Sequence, residues 1–389
     1  MIFLLALLGL GACTPPQPLD QQLYIWQRQW RPAHAEALAQ SHDDFSTLRV
    51  LALQAHPQAG WARAYPDLQL LKRDGRPLIA VVRLDGQLPQ LHHAAITAQI
   101  SSLLRDWQAV GVPLAGLEID HDCASARLPA YAELLGELRQ ALPRELALSI
   151  TALPAWMSSA HLEAVLSQVD SSVLQVHAVS DPHRGLFDAE QAKRWAEQYA
   201  TRSSKPFLLA LPAYGVALLD SSDGMPLVES EAPLRQSGTR RELQADPRQV
   251  AALLQQLRAN PPSGMRGIIW FRLPLAGDRR AWAMETLLAV VRKQPLQAAL
   301  GVTRRQNGAV SELQLRNHGN LASALPARIE LPADNCEAAD GLGAYRVESA
   351  AKGLTFIRQR SGQLAAGSER ALGWARCARI DQGGMHVVF

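Results

Sequence analysis

The stretch GLEIDHD carries three acids at alternate positions, Glu118, Asp120 and Asp122. In an extended strand, residues two apart share a face and stand about 6.6 Å from one another along it. Carboxylates crowded in this way repel, so one of them is expected to keep its proton near neutrality. A carboxylic acid beside an ionised neighbour is what cleavage of a glycosidic bond asks of its general acid. The same spacing also fits a solvated acidic turn, or acids paired with the nearby Arg83 and Arg127.

Positioning such a ladder requires a scaffold, and the chain alternates apolar runs with amphipathic stretches. Eight candidate strands occur: LYIWQRQW (23–30), LRVLALQAH (48–56), PLIAVVRLD (77–85), LAGLEIDHD (114–122), LALSITALP (146–154), SVLQVHAV (172–179), PFLLALPAYG (206–215) and RGIIWFRLP (266–274). Helical patterns such as ARLPAYAELLGELRQAL and PRQVAALLQQLRA lie between most of them. Eight such units predict an α/β fold, a (β/α)8 TIM barrel over residues 22–294, whose active site belongs at the carboxyl ends of the strands. An open doubly wound sheet is the alternative, but no glycine-rich phosphate turn follows the first strand. After Gln294 short alternating segments, among them ELQLRNHGN and GLTFIRQR, predict a small all-β sandwich over 295–389. Between the seventh strand and its helix runs a connection, VALLDSSDGMPLVESEAPLRQSGTRRELQAD, without clear periodicity. A loop of that length is read as part of the binding cleft.

The composition, 48% hydrophobic and 19% charged with a formal charge of +3, predicts a sizeable core and no nucleic-acid partner. The opening MIFLLALLGLGAC has signal-peptide length and is too short to span a bilayer. LGAC resembles a bacterial lipobox, which implies a signal peptide over 1–13, acylation of Cys13 and a membrane partner through the lipid anchor. Thr14 after that cysteine implies an outer-membrane lipoprotein facing the periplasm, with residues 14–21 as a tether. Export permits disulfides, and Cys336 and Cys377, both in the C-terminal region, are the expected pair. Cys123 is expected to be a free thiol packed beneath the acidic stretch.

GLEIDHD resembles the fourth-strand signature of family 18 glycoside hydrolases, the chitinase-like barrels, written D-G-x-D-x-D-x-E. LLALPAYG looks like that family's seventh-strand G-x-P-x-Y-G, LSITALP occupies the fifth-strand place, and IIWFRLP brings Trp270 to the eighth strand. The whole chain looks closer still to an uncharacterised family of bacterial lipoproteins, a domain of unknown function related to these barrels. Carried over by position, Glu118 and Asp120 match the family's supporting aspartates and Asp122 its catalytic glutamate. Asp is one methylene shorter than Glu. The sixth strand also departs: LQVHAVSD offers Gln175 and His177 on one face and lacks the tyrosine that helps hold an N-acetyl group in the family. The resemblance therefore implies a carbohydrate polymer as partner without specifying chitin.

Trp26, Trp156, Tyr214 and Trp270 lie at or just past strand ends, where flat rings suit the CH faces of sugars, although buried aromatics in the core are ordinary. Arg83 and Arg272 end the third and eighth strands and are expected to pair with the three acids or to meet an anionic polymer. His177 is read as a hydrogen-bonded cleft residue, and His92 and His93 as solvated. No P-loop, G-x-S-x-G elbow or H-E-x-x-H is present, and no cofactor or metal is expected. Three functions follow: a glycoside-hydrolase-like enzyme with Asp122 as acid, a glycan-binding barrel without catalysis, and a structural lipoprotein recruiting partners through its sandwich. The oligomeric state is left open.

Overall fold

The computed structural model describes residues 18–177, 185–219, 227–229, 240–350 and 353–389. Cys13 and most of the expected tether lie outside the described residues. The eight barrel strands are β1 (Asp20–Ile25), β2 (Thr47–His56), β3 (Leu78–Leu84), β4 (Leu114–Asp120), β5 (Ala147–Ala152), β6 (Ser171–Gln175), β7 (Phe207–Pro212) and β8 (Met265–Phe271). Each pairs in parallel with the next, and β1 pairs with both β2 and β8, which closes the ring. At this seam Gly267 sits against β1: a Cβ there would fall 2.5 Å from the Asp20 carbonyl oxygen, so the two strands approach only because the side chain is absent. The first strand is shorter than the sequence suggests. It ends at Ile25, and Gln29 forms only an isolated bridge with Tyr65.

Period-2 patterning divides each strand between two cores. Leu117 and Ile119 of β4 join the large core between barrel and helices, whereas Glu118 and Asp120 project into the lumen. The lumen is filled by Tyr24, Trp26, Leu51, Val81, Val173, Leu208, Ala210 and Ile269. Helices alternate with the strands. The helix His93–Val110 buries Ile96, Ile100, Leu103, Leu104 and Trp107 at helical spacing. It stops at Gly111, whose φ of 76° is open to glycine, and the chain then enters β4 directly. Among the described residues no helix is long and apolar enough to cross a membrane.

The long connection after β7 is less irregular than its sequence. Gly215–Leu219, Leu227–Glu229 and Arg240–Gln244 form a small antiparallel sheet. Period-2 alternation in Gly-Val-Ala-Leu-Leu is masked because all five residues are buried. Residues 220–226 and 230–239 of this connection lie outside the described residues.

Beyond the barrel the strands are antiparallel: β9 (Leu300–Asn307), β10 (Val310–Asn317), β11 (Arg328–Gly341), β12 (Tyr345–Ala350), β13 (Gly353–Arg358), β14 (Glu369–Ile380) and β15 (His386–Val388). Strand β11 serves two halves. Residues 328–332 pair with β13, and residues 333–341 pair with β14. Leu313 and Leu315 from one half and Ile329, Leu354 and Phe356 from the other share a second hydrophobic core. A disulfide joins Cys336 of β11 to Cys377 of β14, residues directly opposite in register.

Candidate active site

At the bottom of the lumen lies a charged cluster with no access to solvent. Glu118 accepts a hydrogen bond from the Tyr24 hydroxyl at 2.6 Å and pairs with the Arg49 guanidinium. Arg49 also donates to Ser149 Oγ at 3.0 Å and to Gln22 at 2.9 Å. Burial pushes the Glu118 carboxyl upward, while Arg49 and the Tyr24 hydrogen bond pull it back down. Glu118, expected among the catalytic acids, is 0% exposed, with its two carboxylate oxygens held by Tyr24 and Arg49. Arg127, the other arginine close in sequence, donates instead to the Leu88 carbonyl.

One layer higher, Asp120 accepts from the Thr151 hydroxyl at 2.6 Å, and Arg83 Nε stands 3.9 Å from its other oxygen. Asp122 follows just past the end of β4. Its Oδ1 is buried without a hydrogen-bond partner. Burial first, then the charges of Asp120 and Asp85, raise its pKa to about 7, against the opposing pull of Arg83. The loop after β3 fixes this residue from the other side. A Cβ on Gly86 would fall 1.9 Å from the Asp122 carbonyl oxygen, so that approach is available to glycine alone.

These groups open onto space. A narrow cavity of about 40 Å³ is lined by Tyr24, Trp26, Arg83, Asp120, Asp122, Thr151, Gln175, His177, Ala210 and Phe271. It shares Trp26, Arg83, Asp122, Gln175, His177 and Phe271 with an outer hollow of about 350 Å³, which adds Gln54, Asp85, Tyr214 and Arg272. The Arg83 guanidinium lies 6.0 Å above the centre of the Trp26 ring. Trp26 meets Tyr24 and Phe271 edge-on at 5.8 and 5.1 Å, giving one wall of the cavity an aromatic surface. His177 stacks on Phe271 and lies 3.3 Å from the Tyr214 hydroxyl. Burial lowers its pKa to about 3, so the ring is neutral and a poor base. Among the described residues no group of three or more His, Cys, Asp or Glu is arranged to hold a metal ion.

The structure gathers Asp120, Asp122, Trp26, Arg83, Gln175, His177, Tyr214 and Arg272 around this space. It removes two of the expected aromatics. Trp270 belongs to the opposite face of β8: Ile269 and Phe271 face the lumen, and Trp270 is fully buried in the helix-side core with its indole donating to Gln21. Trp156 is fully buried against Tyr131, and its indole N–H donates to the Cys123 carbonyl at 2.8 Å, bracing the chain just after Asp122 from behind. Arg272 pairs with Asp278 at 2.9 Å rather than with the acid ladder. His93 bonds Glu137 at 2.8 Å rather than water alone. Cys123 is a free, buried thiol that burial pushes up to about 11. Tyr24, Arg49, Thr151 and Phe271 were not singled out from sequence. Arg49 inside LRVLALQAH is a lone charge in an apolar run and carried the clearest signal, since such a charge must find a partner.

The family described as a domain of unknown function (DUF3142) matches residues 74–276, and a second domain of unknown function (DUF8456) matches residues 300–378. No curated protein matches the chain. Among solved structures, the spore cortex-lytic enzyme SleL of Bacillus cereus aligns with a TM-score of 0.52 at 15% identity, covering 72% of this chain and 75% of that one. SleL of Bacillus megaterium QM B1551 aligns with the same TM-score at 12% identity, covering 73% and 76%. A chitinase from Chromobacterium violaceum ATCC 12472 aligns at 0.49 and 14% identity, covering 71% and 98%. At these identities the likeness is one of fold, a (β/α)8 barrel.

Proposed function

The chain belongs to the DUF3142 family, and on that premise we propose that it is an envelope glycoside hydrolase that cleaves a polysaccharide by general acid catalysis from Asp122. One observation carries the reading: Asp122 stands at the mouth of a barrel, beside Asp120, with its proton held to about 7 and an unpartnered oxygen in a space lined by aromatic rings. Protonated Asp122 donates to the glycosidic oxygen as the bond breaks, and a water then adds to the anomeric carbon, returning a proton to the Asp122 carboxylate. Burial, and after it the charge of Asp120, keeps that proton on Asp122 in the resting state, and Asp120, fixed by Thr151, stabilises positive charge developing on the sugar ring. Trp26 and Phe271 offer apolar faces to the sugar, and Gln175, Gln54 and Arg83 face its hydroxyls. The apolar run ending at Cys13 supports an outer-membrane lipoprotein facing the periplasm, and the Cys336–Cys377 disulfide agrees with an oxidising compartment.

A second reading, a barrel that binds a glycan without cleaving it, is favoured by one departure: the acid is an Asp, one methylene short of the glutamate at the matching position in family 18. Release of reducing ends from a panel of polysaccharides by the purified chain separates the two. Turnover that disappears in Asp122→Asn supports catalysis. Calorimetric binding with no turnover over days supports the binding barrel, and turnover unchanged in Asp122→Asn refutes the assignment of the acid.

A further inference from the structure

The C-terminal domain presents a groove of about 460 Å³ on the face of its sheet opposite the core, within the range of ligand sites. Strand periodicity builds it. Leu313 and Leu315 of β10 point into the core, so Glu312 and Gln314 point out beside them. On the neighbouring β14, Leu372 and Ala375 are buried while Trp374 is only half-buried. Trp374 stands opposite Glu312 on one side and opposite Asp340 of β11 on the other. Arg376 and the 45% exposed Leu342 complete the lining.

We propose that this groove is a second, non-catalytic binding site for a neutral polysaccharide, with Trp374 as the stacking platform. The proposal rests on reading the chain as a glycan-handling protein, although not on catalysis by it. Charge selects the occupant. Glu312 and Arg376 of the lining cancel, so a polyanion gains no net attraction there, while the ring lies in register between the carboxylates of Glu312 and Asp340. They accept hydroxyl hydrogens at the edges of a pyranose whose CH face covers the indole. Arg376 supplies donors for the remaining oxygens, its guanidinium 3.8 Å from Glu337. A protein partner would demand a wider apolar surface than Trp374, Leu342, Val310, Leu313 and Ala371 provide in a groove of this size. A site of this kind keeps the chain on its polymer and raises the local concentration at the barrel.

Affinity electrophoresis of the full chain tests this, in native gels cast with hydroxyethyl cellulose, glycol chitin or heparin. Retardation is expected in at least one neutral polysaccharide and not in heparin. Trp374→Ala should weaken it by about tenfold, and Trp374→Tyr should largely keep it. Equal thermal midpoints confirm that the variants fold. Should Trp374→Ala fail to fold, Glu312→Gln serves in its place and should weaken retardation at an unchanged midpoint. Three results overturn the proposal: retardation in neither neutral polysaccharide, retardation in heparin alone, or equal retardation of the folded groove variant and its parent. Concentration-dependent dimerisation abolished by the groove substitution would assign the face to a second copy of the chain and also overturn it. Reducing ends released without groove-dependent retardation refute this site alone, and the converse pattern refutes catalysis alone.

Discussion

Replacing Asp122 by Asn tests the proton inventory of the site by stability as well as by turnover. The folded carboxyl titrates at about 7 against an ordinary value of 3.8. Between those two values the folded chain holds a proton that the unfolded chain has already released. Stability therefore falls as pH rises through this window, and the cost is complete above the folded value. At about 1.4 kcal/mol per pH unit the gap sets an upper bound of about 4 kcal/mol. Asn carries no charge and removes that slope. For a barrel of this size, a few kcal/mol corresponds to about 5–8 °C in thermal midpoint. Differential scanning fluorimetry of both proteins from pH 4 to pH 8 reads the effect. The midpoint of Asp122→Asn minus that of the parent should grow steadily across the window, because titrating groups that do not interact with Asp122 cancel in the difference. A difference that stays flat from pH 4 to pH 8 refutes the raised proton affinity, and with it the acid role.

Gly86→Ala must displace the Asp122 carbonyl, and a shift of about 1 Å in an acid group costs about 100-fold in kcat; circular dichroism should show an intact fold. Arg49→Met strands the Glu118 charge in the lumen and should cost about 3–5 kcal/mol in urea unfolding, most of it recovered in the double variant with Glu118→Gln. Trp270→Ala should lower stability by about 3–5 kcal/mol with KM retained in the surviving folded protein, whereas Phe271→Ala should raise KM at modest cost in stability. Reduction of Cys336–Cys377 should lower the unfolding free energy of the C-terminal domain by about 2–4 kcal/mol, read by denaturation with and without reductant.

The barrel was legible because each strand is an apolar run bounded by turn residues, and the ladder of β4 because period-2 spacing survives in the acids themselves. Where both faces of a strand are apolar the parity is not written in residue type. In IIWF every residue suits either core, and only the register with β7 and β1 turns Phe271 inward and Trp270 outward. Trp156 follows the same logic, since its indole partner is a backbone carbonyl that no side-chain pattern reveals. The Arg49–Glu118 pair joins two strands not adjacent in the ring, which takes a closed lumen to bring together. Trp374 and its flanking carboxylates became a groove only once the β14 register was known.

The seam at Gly267 bears on how the molecule is made. Asp20 lies on the first barrel strand, yet its partner on β8 is synthesised only after seven strands and their helices. Until then the edges of β1 and β7 carry unsatisfied amides, the state in which nascent chains stick to one another. Substituting a bulkier residue at the seam would prolong that interval. Its damage would then show in soluble yield and in dependence on folding helpers before any change appeared in the rate constants of the purified protein.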